Sequence, residues 1–127
     1  MKLHLLALAP VLIGLLLMPG TANAHHGWVD FDENADLTVE GTVTGFYFVN
    51  PHCVVEFDVK DEKGRIQKWQ GEFASKSELS RLGWNAASLE AGEKLTFIGH
   101  PPKDGSLSIH VIKIRKANGE FKLNLRG

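Results

Sequence analysis

Two glycines, Gly41 and Gly45, interrupt a long run that otherwise alternates between apolar and polar residues. Leu37, Val39 and Val43 stand against Thr38, Glu40, Thr42 and Thr44. Such alternation makes a half-buried strand, and glycine inside it marks a bulge or a sharp coil. A strand over Leu37 to Val49 bent in this way suits a small barrel, whose strands must coil in order to close. Asn50-Pro51 ends the strand in a turn.

The rest of the pattern fits that beginning. Cys53 to Lys60 reads as a second strand, with Cys53, Val55, Phe57 and Val59 on one face and His52, Val54, Glu56 and Asp58 on the other. Asp61 to Gly64 makes a hairpin turn. Arg65 to Phe73 is a third strand, with Trp69 and Phe73 opposite Lys68, Gln70 and Glu72. Ser75 to Leu82 predicts a short helix. Ser75 is its N-cap, Glu78 completes a capping box, and Gly83 stops it. Lys94 to Gly99 and Leu107 to Lys116 are the fourth and fifth strands. The apolar phase of the fifth shifts at Val111-Ile112, which predicts a bulge there. Phe121 to Leu125 adds a short final strand. Three strands, a helix and two more strands give a mainly β fold, a five- to six-stranded OB-like barrel with one helix between strands three and four. An open β-sandwich with one helix is the competing arrangement.

The N-terminus has the three-part layout of a cleavable secretory signal. Lys2 is followed by an apolar run from Leu5 to Met18, a Pro19-Gly20 break and the small-residue site Ala22-Asn23-Ala24. The apolar run is too short for the ~20 residues of a membrane-spanning helix. Residues 1–24 are therefore expected to be removed, 25–36 to form an irregular arm, and 37–127 to form the barrel, with the protein located in the periplasm. No membrane span is expected after cleavage. The chain has one cysteine, Cys53, so no internal disulfide supports an exported domain of about 100 residues. The core or a ligand must hold it. Cys53 shares its face with Val55, Phe57 and Val59 and is expected to point into the barrel. The formal net charge is −1 with no basic stripe, which argues against nucleic acid as a partner.

Several short motifs fall in order along the chain. They are Ala24-His25-His26, Asn50-Pro51-His52, Arg81-Leu82-Gly83-Trp84, Ser88 to Glu93, and Gly99-His100-Pro101 with Asp104-Gly105 behind it. In these the chain resembles a family of small exported bacterial proteins known as domain of unknown function 6152. Phe48 departs from the resemblance where a Trp is expected, and Cys53 stands where an apolar residue is expected. The resemblance implies a periplasmic address and an OB-like fold. It supplies no activity.

The chemistry must come from the histidines. His52 lies in the loop after strand one and His100 opens the loop after strand four, the two loops that border the usual ligand face of such a barrel. The arm could bring His25 and His26 to the same rim. Cleavage after Ala24 would give His25 a free amine beside its own imidazole, and one further imidazole from His26, His52 or His100 would complete a three-nitrogen set. That histidine-brace arrangement suits Cu(II). Cleavage after Ala22 would instead place His25 third from a free amine, also a Cu(II) chelate. The alternatives are structural: His52 could fix the Asn50-Pro51 turn through a backbone hydrogen bond, and His100 could cap a turn. His110, in mid-strand, is read as structural.

No enzyme signature accompanies these residues. Gly-x-Ser-x-Gly, His-Glu-x-x-His and a phosphate loop are all absent from the sequence. Glu56 and Asp58 read as a solvated strand face. The expectation is therefore copper binding without an assigned reaction. The alternative is a metal-independent module that docks a periplasmic protein or other ligand on the outer face of strands two and three.

Overall fold

The computed structural model describes residues 29–126; the signal-like segment, His25, His26 and Trp28 lie outside the described residues. Strand β1 (Leu37–Tyr47) is shared between two sheet halves. Its residues Leu37 to Thr42 pair with β4 (Lys94–His100), and Thr42 to Tyr47 pair with β2 (Val54–Lys60), both antiparallel. The register slips between Val43 and Gly45, leaving Thr44 as the extra residue of a bulge. Gly41 faces inward, where a Cβ would run into the ring of Phe57. The strand therefore bends where its two glycines predict, one at the bulge and one where the core presses on the backbone.

Strand β3 (Ile66–Glu72) continues the β2 hairpin, and β5 (Ser108–Lys116) continues from β4. The sheet runs β3-β2-β1-β4-β5-β6, with β6 (Phe121–Asn124) outside the closed part. Closure comes from a short parallel pairing in which Gln70, Gly71 and Glu72 of β3 meet Ser108, Ile109 and His110 of β5. The result is the expected closed five-stranded barrel with one extra strand. The one helix of the described residues, α1 (Lys76–Arg81), lies between β3 and β4 and carries the Ser75–Glu78 capping box. Among those residues no helix is long and apolar enough to cross a membrane. Trp84 sets its ring edge-on to Phe46 and Phe73, at 6.1 Å from each, and so fastens the helix exit to the barrel.

The interior follows the alternation. Phe57 and Phe97 stack at 4.1 Å at its centre, among Val43, Val55, Ile109, Val111 and Ile114. Cys53 is fully buried, its thiol donates to the Val49 carbonyl at 3.5 Å, and burial pushes its pKa up. It is a small hydrophobe here, as its neighbours in the strand imply. In β5 the register slips past Ile112, since Ile98 pairs with Lys113 while Gly99 pairs with Val111. The bulge predicted from the phase shift is therefore present. Gly99 sits against it, and a Cβ there would overlap the His110 carbonyl.

Because the obstacle at Gly99 is backbone, no rotamer change can relieve it. Gly99→Ala is expected to destabilise the fold by about 3 kcal/mol or more, read as a lowered urea midpoint. An unchanged midpoint would mean the β4–β5 bulge does not pack this way.

Candidate functional site

The turn that carries His52 contains a cis Asn50–Pro51 peptide and is tied to the start of the helix. The Lys76 amide donates to the Val49 carbonyl at 3.1 Å and the Ser77 amide to Asn50 Oδ1 at 3.3 Å. Cys53 and the residues after β3 exchange backbone bonds, Cys53 N–H to Ala74 and Phe73 N–H to Cys53. These hydrogen bonds hold His52 beside the end of β3, with Nδ1 3.3 Å from the Phe73 carbonyl. The backbone hydrogen bond foreseen for His52 would fix the Asn50-Pro51 turn, whereas the contact formed reaches Phe73, just past β3.

Three polar residues lie side by side across neighbouring strands. Glu72 pairs with His110 in the parallel β3–β5 contact, and His110 pairs with His100 in β4–β5. Their chain neighbours Gly71, Phe73, Ile109, Val111 and Gly99 are buried, so alternation turns all three onto the outer wall of the barrel. The segment before β1 covers this row. Phe31 forms an isolated antiparallel bridge with Pro102, the Asp32 amide donates to the Pro101 carbonyl at 2.9 Å, and the Lys103 amide donates to the Asp30 carbonyl at 2.8 Å. The Phe31 ring lies 5.4 Å from that of His110.

Between arm and wall is a cavity of about 230 Å³, lined by Asp30, Phe31, Glu33, His52, Glu72 and His110 among others. His52 is thereby brought together with His110, a residue that reads as structural from the sequence. His100 is 2 % exposed, and both its ring nitrogens are engaged: Nδ1 with the Ala35 carbonyl at 2.7 Å, Nε2 with the Arg126 guanidinium at 2.6 Å. A carbonyl only accepts and a guanidinium only donates, so His100 is the neutral tautomer with its proton on Nδ1. Its one lone pair is committed to Arg126. His25 and His26 lie outside the described residues, among which no group of three or more His, Cys, Asp or Glu could hold a metal ion.

The cleft favours neutral groups. Burial pushes the Glu72 carboxyl above its usual range, opposed by the charge of His52. Burial above all pulls His110 down, helped by the Arg126 guanidinium and opposed by the charge of Glu33. A neutral imidazole keeps a lone pair for a ligand. Alternation alone would have shown that His110 and Glu72 point away from the core. Only the β3–β5 closure makes them neighbours. The outer face of β2 is quieter: Glu56 accepts from the Tyr47 hydroxyl at 3.4 Å and Asp58 pairs with Lys68 at 3.3 Å.

Comparison with known proteins adds a family and little else. The model of the "Family of unknown function (DUF6152)" matches residues 14–110. No curated protein matches the chain. A crystal structure of the ZRD-deleted mutant of TiaS in complex with agmatine is 18% identical, covering 73% of this chain and 25% of its own, at a TM-score of 0.47. A crystal structure of TiaS in complex with a tRNA and ATP is 17% identical, covering 72% of this chain and 20% of its own, at 0.48. The chain thus spans a quarter or less of the length of either protein.

The position of His110 has a consequence for stability in the metal-free protein. Its folded pKa lies below the ordinary value of 6.5, so the unfolded chain binds more protons in that window. The contribution of His110 is undiminished above pH 6.5 and turns unfavourable as pH falls through the folded value. Urea midpoints taken at about pH 7.5 and pH 5 should therefore fall less in His110→Gln than in the wild type. Equal falls would place the acid sensitivity elsewhere.

Proposed function

We propose that this chain, which belongs to the DUF6152 family of unknown function, is an exported protein that binds copper in the cleft beneath its arm. One observation carries the reading: His52 and His110, far apart in sequence, line the same small cavity at the foot of the N-terminal arm. Imidazole nitrogens favour copper among the divalent ions that such a site could take. A His110 held neutral is in the protonation state that ligation requires.

The described residues supply too few donors for a metal by themselves. The remaining donors in this reading come from the exported N-terminus. Val29 lines the cavity, and His25 and His26 precede it by four and three residues. At ~3.3 Å per residue, that chain length allows a reach of about 10–13 Å. Signal cleavage after Ala24 would add the His25 amine to the set. The proposed donors are therefore His25, His26, His52 and His110. His100, whose lone pair faces Arg126, serves to hold the arm through the Ala35 carbonyl. Glu33 and Glu72 would offset the positive charge of the ion and orient its ligands. The role is binding or carrying copper in the periplasm, with no reaction assigned.

The test begins with the protein exported through its own signal, its N-terminus established by intact mass. Titration with Cu(II), followed by paramagnetic resonance, should give one tight equivalent with a multi-nitrogen spectrum. His52→Ala and His110→Ala should each alter that spectrum and weaken binding by at least about tenfold. Weak binding with indistinguishable spectra in all three proteins would refute the reading.

A further inference from the structure

The histidine cleft lies at one end of the barrel strands, by the start of β2 and β5 and the end of β3. A larger trough of about 980 Å³ lies at their other end, lined by residues from the end of β2 and β5, the start of β3 and β4, and the Glu40–Thr42 stretch of β1. Its origin is a divergence of strands. β1 pairs with β2 only from Thr42 onward, whereas Leu37 to Gly41 is paired on its β4 edge alone. The β2-facing edge of that stretch has no strand partner among the described residues.

The charge of the trough is one-sided. Lys60, Lys94, Arg115 and Lys116 line it, with Glu40 and Asp58. Asp58 is paired with Lys68 and Lys116 is 3.7 Å from Glu120. Lys60, Lys94 and Arg115 have no ion-pair partner among the described residues, leaving three cations against the single unpaired carboxylate of Glu40. This is a local excess on a chain whose formal net charge is −1. Thr42, Thr96 and Leu95 contribute to the lining, and Ile66, 53% exposed, adds an apolar side chain.

We propose that this trough docks an extended acidic segment of a partner protein. An unpaired strand edge offers backbone hydrogen bonds to an extended chain, and the flanking side chains then select its sequence. Here three unpaired cations select carboxylates, and Ile66 takes an intervening apolar residue. Single-stranded nucleic acid fits less well, since none of the lining residues is aromatic and bases would have nothing to stack on. A second copy fits less well too. The chain's own acidic stretch, Asp30 to Asp36, is fastened to its own barrel through Pro101, Pro102 and Lys103. The site is independent of copper and of the histidine cleft.

The experiment uses the full chain and a short fluorescent peptide of alternating Glu and Val, with the matching Lys/Val peptide alongside. Anisotropy should show saturable binding of the acidic peptide only, weakening as added salt shortens the screening length below about 10 Å. Lys94→Glu and Arg115→Glu should each reduce affinity about tenfold. Lys76→Glu, an equal change of net charge on the helix, should leave it unaltered. The proposal is overturned by an absence of saturable binding or by an equal loss in Lys76→Glu. It is also overturned if inorganic phosphate or single-stranded DNA competes as well as unlabelled peptide, or if sedimentation shows the chain pairing with itself through the trough.

Discussion

Three residue pairs between β3 and β5 hold this molecule in its shape. Without them the strands would form an open, curled sheet with two exposed edges. With them the sheet closes on itself, and Phe57 and Phe97 lose their contact with water. The closure is parallel and brief, so it draws little strength from its own hydrogen bonds. It persists because Gly71 lets the wall approach the core: a Cβ there would stand 2.8 Å from both Val55 and Val111. Barrel closure and core packing are therefore one event. The same three pairs place Glu72 against His110, so the cleft is a by-product of closing the barrel rather than a separate construction.

The arm is the second dependency. A segment with one isolated bridge and a few backbone bonds would ordinarily fray. Here it is anchored at both ends, at Pro101–Lys103 through Asp30 to Asp32 and at His100 through Ala35. The His100 anchor depends in turn on Arg126, near the other end of the chain, which fixes the tautomer that can donate to Ala35. Residues from the arm, β4 and the C-terminal tail thus converge on one buried imidazole. That convergence gives the cavity a fixed roof, and it explains why a histidine foreseen as a ligand in the loop after β4 is instead occupied by structure.

Much of this was legible in the sequence because strand alternation reports burial directly. The strand from Leu37, which ends at Tyr47 rather than at the expected Val49, the inward Cys53, the helix cap at Ser75 and the slip beside Ile112 follow from local pattern, and each has a local cause in the structure. What local pattern cannot give is which strands meet across the seam. His110 read as structural because a lone histidine in a strand has no visible company. Its company is Glu72, brought in by closure, and Phe31, brought in by the arm. The trough was hidden for the same reason. Lys60, Lys94 and Arg115 are ordinary strand cations taken singly, and only the divergence of β1 from β2 makes them neighbours.

The two candidate sites differ in the chemistry their surroundings permit. At the cleft, half-burial disfavours charge, moving Glu72 and His110 toward their neutral forms and leaving His110 a lone pair to share. At the trough, the exposed Lys60 and Lys94 and the half-buried Arg115 act on a ligand through a screened field. In the two proposed readings a borderline cation is taken up at the first and a carboxylate-bearing chain at the second. Because they lie at opposite ends of the same strands, a protein could be held at one while the other stays open to a metal ion.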